Sequence, residues 1–303
     1  MTSPLDSVRR TESLANYTSF RIGGPAELFA EPSTVDELVQ LLTAARRSGL
    51  PVMAMGGGTN CLVADRGIRG LVIRLGKAFR SVEPLAQQGD DAQVRCGAAV
   101  ITQRLVNLAG QQGWGGVEVL AGLPGQVGGA VVMNAQNIGR FVESVHVVSL
   151  TGECRRLTKA QLTFSYRYTA LEPGIVTDVA FRFPKVSAEL AAQEIKRALS
   201  YRNETQELGL PSAGCAFKNP PGISAGRLID QSGLKGARIG DARISMRHAN
   251  FIVNVGQATC DDVLSLMEHV QRRVAGRFGT WLEPEVRLFG ERWSAFNIAR
   301  SSV

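Results

Sequence analysis

The chain has 303 residues, of which 44% are hydrophobic and 20% charged, with a mean hydropathy near zero. That is material for about two domains with real cores, and no apolar run nears the roughly 18 residues of a membrane span. The net charge is +7, but only six of the 34 basic residues are lysine and no basic run exceeds two or three residues. An arginine-rich solvated surface accounts for that excess, so anionic small ligands are favoured and no nucleic-acid partner is expected.

Cysteines stand at 61, 96, 154, 215 and 260, an odd number at wide spacing without a CxxC pair. This argues against a disulfide framework or a zinc site and for a reduced, cytoplasmic setting. His146, His248 and His269 are too scattered for a metal centre. Met1–Arg10 has no apolar stretch of the secretory kind, and the first dozen residues, being polar, are expected to be disordered.

Ser33 or Thr34 caps a helix with Asp36 and Glu37 in its first turn and Leu38, Leu41, Leu42 and Ala45 on its apolar face. Gly49 and Pro51 stop it. Val52–Met55 reads as a short buried strand leading into Gly56-Gly57-Gly58-Thr59-Asn60. Strands follow at Leu71–Leu75 and Gln93–Cys96, with a helix over Thr102–Gln111. Val145–Leu150 and Cys154–Leu157 flank the hairpin signal Thr151-Gly152-Glu153. Thr177–Phe183 is an alternating strand ending at Pro184. Residues 185–208 are helical and charged and lead into a second domain. There the pattern predicts a Gly226–Ser232 helix, a Phe251–Val255 strand and a long helix after Thr259. The buried stripe of that helix is Val263, Leu266, Met267, Val270 and Val274. Pro284–Phe289 reads as a final strand, and the tail after Gly290 as loose.

A strand running into three glycines offers consecutive N–H groups with no Cβ in the way, a nest suited to pyrophosphate. The pattern is neither GxGxxG nor a Walker loop, and alone it would serve equally as a tight turn. A second cluster, Gly122-Leu123-Pro124-Gly125-Gln126-Val127-Gly128-Gly129-Ala130, gives a second loop able to approach a ligand closely.

Gly56–Asn60 with Cys61-Leu62-Val63, the second cluster with Met133-Asn134-Ala135, and the opening Asn16-Tyr17-Thr18-Ser19-Phe20-Arg21-Ile22-Gly23-Gly24-Pro25-Ala26 together resemble the UDP-N-acetylenolpyruvoylglucosamine reductases. The resemblance covers about residues 14 to 290. It implies an α+β, vanillyl-alcohol-oxidase-type (PCMH-like) FAD-binding fold of two subdomains plus an α+β C-terminal substrate-binding domain. The expected divisions are 14–187 for FAD, as roughly 14–76 and 77–187, and 195–290 for substrate.

The reaction implied is NADPH-dependent reduction of UDP-N-acetylglucosamine enolpyruvate to UDP-N-acetylmuramate, a step of peptidoglycan precursor synthesis. NADPH reduces FAD, the flavin passes hydride to the enolpyruvyl methylene carbon, and a proton is added at the neighbouring carbon. Gly56, Gly57, Gly58, Thr59, Asn60, Gly122, Pro124, Gly125, Gly128 and Gly129 would hold FAD. Arg167, in Phe164-Ser165-Tyr166-Arg167, would polarise the substrate carboxylate with a fixed, always-charged guanidinium. Glu285, the glutamate after the proline in Leu282-Glu283-Pro284-Glu285, would stabilise the enol; otherwise it is a strand residue paired with Arg287. Cys215, in Pro211-Ser212-Ala213-Gly214-Cys215-Ala216-Phe217, stands where serine is commoner as proton donor, and a thiol, with a reference pKa of about 8.5, is a better acid than a hydroxyl. Ser212 is the alternative donor.

Asn219 and His248 match substrate-contact positions, and Tyr201, Arg202 and Lys218 would meet the UDP pyrophosphate. Only 48 positions separate Arg167 from Cys215, too few for an inserted substrate loop, so the chain resembles the shorter, type II form. Gln136-Asn137 replaces a commoner Gly-Ala, putting a bulkier side chain near the flavin. Two other readings share some of these features: a different FAD-linked oxidoreductase of the same fold, and a flavin- or UDP-sugar-binding protein without turnover.

Overall fold

The computed structural model describes residues 3–85, 91–207 and 209–290. The chain divides into two compact units. The first comprises the described residues up to Arg9, Leu28–Gly57 and Gly70–Arg202; the second comprises Arg10–Glu27, Gly58–Arg69 and the described residues from Asn203 on. The chain passes from one unit to the other inside the triple glycine, between Gly57 and Gly58.

The first unit is built on a five-stranded antiparallel sheet in the order Val82–Pro84, Asp91–Gly97, Gly174–Pro184, Val142–Ser149, Cys154–Thr158. The last two strands join at the expected hairpin, with Val148 opposite Cys154 and Gly152 at φ 91°. Val52–Ala54 pairs in parallel with Leu71–Ile73 but is not the buried strand expected: Val52 and Met53 are half-buried and Ala54 is exposed. The helix Val35–Arg47 begins where its cap predicts: Thr34 Oγ1 accepts from Glu37 N–H at 3.1 Å, and Glu37 reaches back to Ser33 N–H at 2.6 Å. Its four expected apolar residues are buried in one core with the helix Thr102–Gln112 and the sheet strands.

In the second unit, an antiparallel sheet runs Ser212–Cys215, Phe251–Asn254, Ala242–Ile244, Arg238–Ile239. It packs with the helices Ala225–Gln231 and Cys260–Phe278. Thr259 and Asp262 form a capping box, and Gly279 closes the long helix at φ 65°. Val263, Leu266, Met267, Val270 and Val274 are each at most 1% exposed. Each such side chain contributes roughly 1.5–3 kcal/mol on leaving water.

Three expectations need correction. The N-terminal residues are ordered from Ser3: a capping box starts a 3₁₀ turn at Pro4–Ser7, Leu5 is buried, and Arg9–Ser13 is a strand. Burial of Leu5 in the first core anchors a stretch that looks polar in sequence. The last strand is only Arg287–Phe289, because Pro284 has no N–H for a ladder and forms an isolated bridge with Phe217. Its partner is Cys61–Val63, in parallel, a strand without expected status. The charged helix is Ala188–Thr205, narrower than 185–208, and Leu208 and the tail from residue 291 lie outside the described residues.

Candidate active site

Within the first unit the two glycine loops meet. A Cβ on Gly57 would stand 2.9 Å from Gly125 Cα, so glycine is what lets the backbones touch. The N–H groups of Gly56 and Gly57 find no acceptor among the described residues. The second loop is fastened by its other side. Thr102 Oγ1 donates to Leu123 O at 2.5 Å, Thr102 N–H to Gly125 O at 3.1 Å, and Gly122 N–H to Gln103 Oε1 at 3.2 Å. Touching loops with unclaimed donors suit the pyrophosphate of a dinucleotide cofactor such as FAD. Pro124 and Gly129 are exposed, and a Cβ on Gly129 meets nothing within 4 Å. Gly128 differs, because a Cβ there would stand 2.8 Å from Ala98 Cβ; it serves packing.

Arg167 sits in the same unit, on the two-residue turn between Thr163–Ser165 and Tyr168–Ala170. Its φ is 57°, in the left-handed region that costs a non-glycine residue roughly 1–2 kcal/mol. Its guanidinium carbon lies 5.6 Å from the Tyr166 ring centre. The hairpin is tied to the chain that follows the second loop: Asn134 Nδ2 donates to Ser165 O at 2.9 Å, and Thr169 Oγ1 to Val131 O at 2.5 Å. Asn134 Oδ1 also accepts from Gly139 N–H at 2.9 Å. Gln136 and Asn137 take φ 52° and 59°, the backbone glycine would adopt freely, and Gln136 points to an exposed position.

The second unit gathers Cys215, Glu285 and the end of the first loop. Ser212 pairs with Val253 and Cys215 with Phe251, and the bulge between them is taken up at Gly214, φ 76°. Glu285 N–H donates to Ala216 O at 2.8 Å, so the residue after Cys215 fixes the glutamate backbone. Asn60 Nδ2 donates to Glu285 O at 3.3 Å, and Arg287 N–H to Asn60 O at 3.0 Å. Cys215 and Glu285 are both half-buried, as are Thr59 and Asn60. Gly58 is buried against the opening motif: Ser19 N–H donates to its carbonyl at 3.1 Å, and a Cβ on it would stand 1.9 Å from Tyr17 O. Burial pushes the Cys61 thiol up to about 11 and, in the first unit, the Cys96 thiol up to about 12. Both stay protonated and inert at neutral pH.

His248 is half-buried and stacked at a tilt on Phe251, ring centres 4.6 Å apart. Its Nδ1 accepts from Asn250 N–H at 3.3 Å, so the neutral ring carries its proton on Nε2. Burial holds this imidazole below its ordinary value, with the Lys235 charge adding to the effect. Asn219 is exposed, and its Oδ1 accepts from Ala225 N–H at 3.0 Å. Lys218 is 3.2 Å from Glu283, and Tyr201 is exposed. Arg202 is buried in the first unit, donates to Val119 O at 3.1 Å and lies under Gly122, so it braces the second loop. Asn134 and Asn250 were given no role in the sequence reading. A left-handed-tolerant asparagine in a glycine-rich loop was the available signal for the first.

Among the described residues no three His, Cys, Asp or Glu side chains are grouped to hold a metal, and no helix is long and apolar enough to cross a membrane.

A model of the UDP-N-acetylenolpyruvoylglucosamine reductase C-terminal domain matches residues 206–289, and one of an FAD binding domain matches 26–158. UDP-N-acetylenolpyruvoylglucosamine reductase 2 of Symbiobacterium thermophilum is 42% identical over 93% of this chain and 92% of its own. The reductase of Desulfosudis oleivorans is 42% identical over 94% and 96%. Among solved structures, the reductase of Thermus caldophilus superposes with a TM-score of 0.79 at 38% identity, covering 93% of this chain and 99% of the other. The fold is thus the expected α+β fold, an FAD binding domain with a C-terminal reductase domain. The chain belongs to the UDP-N-acetylenolpyruvoylglucosamine reductase family, a family of FAD-dependent oxidoreductases.

Proposed function

We propose that this enzyme uses NADPH and FAD to reduce UDP-N-acetylglucosamine enolpyruvate to UDP-N-acetylmuramate. The step serves peptidoglycan precursor synthesis in the cytoplasm, and through it cell shape and division. The observation that carries the reading is the peptide of Ala216, which follows Cys215 and accepts from Glu285 N–H at 2.8 Å. A proton donor and a carboxyl held in register through one residue, Ala216, suit protonation next to a carboxylate.

When bound, the flavin supplies hydride and is replenished by NADPH. Gly56–Asn60 and the loop from Gly122 through Pro124 and Gly125 to Gly129 would hold it, mostly through backbone, with Gly128 packing the loop against Ala98. Arg167 holds the substrate carboxylate and the negative charge that builds on it. Glu285 hydrogen-bonds the enol. Cys215 gives its thiol proton to the carbon beside the carboxylate. Asn219 contacts the sugar nucleotide, and His248 donates from Nε2. Residues 14–187 serve the cofactor and 195–290 the substrate.

The test follows NADPH absorbance for wild type, Cys215→Ser and Cys215→Ala. Turnover in wild type, lost by roughly 10²–10⁴-fold in the alanine variant while NADPH still bleaches the flavin, supports the reading. Bleaching without turnover in any of the three would sink it.

A further inference from the structure

Asn250 is 2% exposed and grips a single residue from both sides. Its Oδ1 accepts from Phe217 N–H at 3.0 Å, and its Nδ2 donates to Phe217 O at 2.8 Å. Its own carbonyl accepts from Ala216 N–H at 2.8 Å. The reason lies in the strand. Regular pairing of Ser212–Cys215 ends at Cys215, opposite Phe251. Phe217 is 1% exposed, so its peptide groups are beyond the reach of water. A buried N–H and C=O without partners are costly. The carboxamide reproduces both faces of a peptide and continues the ladder where the backbone cannot.

Asn250 is held in turn. Its N–H donates to His248 Nδ1 at 3.3 Å, and Ser245 Oγ accepts from Arg247 and His248 N–H at 3.0 and 3.2 Å. A neutral imidazole is required for that acceptor, and burial keeps it neutral. The segment 245–251 is therefore a clamp. It closes on Ala216 and Phe217, and Ala216 carries Cys215 on one side and the Glu285 backbone on its carbonyl.

We propose that Asn250 is a positioning residue: it fixes the 216–217 segment so that the Cys215 thiol and the Glu285 carboxyl keep one register. The proposal rests on the proton-donor reading of Cys215. A displacement of about 1 Å in a reacting group costs on the order of 10²-fold in rate, which makes the clamp matter to chemistry as well as to folding.

The test uses FAD-loaded protein and two variants, Asn250→Ala and the isosteric Asn250→Asp. The second keeps the acceptor for Phe217 N–H and loses the donor to Phe217 O. Flavin bleaching by NADPH and reoxidation by UDP-N-acetylglucosamine enolpyruvate are timed separately. The rate of Cys215 alkylation by iodoacetamide is followed against pH by mass spectrometry. The expected result is unchanged bleaching, reoxidation slowed by roughly 10–100-fold, a shifted alkylation profile, and little further loss when Asn250→Asp is added to Cys215→Ala. Equal slowing of both half-reactions, or full additivity with Cys215→Ala, would overturn it. If Cys215→Ala alone leaves reoxidation intact, the proton-donor reading fails. The alkylation profile then decides, and a profile unmoved by Asn250→Asp rejects the positioning role.

Discussion

The two units hold Arg167 and Cys215 by opposite backbone choices. Arg167 itself occupies left-handed backbone at φ 57°, and Asn134, at φ 42°, does so too. Beside Cys215 the same conformation falls to Gly214, φ 76°. The second unit thus puts the awkward conformation on a residue with no side chain. The first places it on Arg167 itself, where strain is tolerated because the hairpin is fastened through Ser165 and Thr169. What the two share is a buried asparagine gripping a nearby peptide, Asn134 on Ser165 and Asn250 on Phe217. A carboxamide is the one neutral side chain that imitates the backbone it replaces.

The largest expected effect in this contrast is chemical. Arg167→Lys keeps the charge and loses the fork, and kcat should fall by roughly 10²–10³-fold while stopped-flow bleaching by NADPH is unchanged. Equal loss in both would place Arg167 outside the substrate step. Next comes a steric case. Gly58→Ala drives a methyl onto Tyr17 O, 1.9 Å away, from φ 65°, and should cost on the order of 2–4 kcal/mol in denaturant unfolding. Gly214→Ala meets nothing within 4 Å, so it should cost only about 1 kcal/mol, the conformational part. Arg167→Gly is its mirror image and should raise stability by about 1 kcal/mol in an inactive protein. If it lowers stability instead, the turn is not strained and the contrast fails.

The smallest effect concerns pH. His248 titrates below its ordinary value in the folded chain, so the unfolded chain takes up the proton first. Stability from this group is present above the ordinary value near 6.5, declines as pH falls below it, and levels off once pH is under the folded value. His248→Gln should therefore lose less melting temperature than wild type between about pH 7.5 and 5.5. An equal drop in both would show that other groups carry the acid sensitivity.

Local patterns carried much of this fold. The stripe from Val263 to Val274 revealed the long helix, and Thr34 and Thr259 marked helix starts because capping is a contact over three positions. Cys215, Arg167 and Glu285 are proposed through motif context alone, since a lone cysteine, arginine or glutamate has no distinguishing neighbourhood. The pairing of Cys61–Val63 with Arg287–Phe289 was illegible, for a parallel pair across the length of the chain leaves no local period. Leu5 looked like part of a loose tail because one apolar residue among polar ones says nothing of the core awaiting it. Asn250 was hidden for the same reason: its partner is a backbone peptide 33 positions away.

That long-range strand pair also bears on synthesis. Asn60 and Glu285 are 225 positions apart, and the second unit draws on Arg10–Glu27 and Gly58–Arg69 as well as on the chain from Asn203. On a ribosome, the segments that flank the first cofactor loop emerge early and wait for partners made last. The first unit has its whole sequence once Arg202 is out, whereas Cys215 and Glu285 can enter register only when translation is nearly finished. The second unit is therefore completed only at the end of synthesis, and its early-made segments are the stretch most in need of shielding until then.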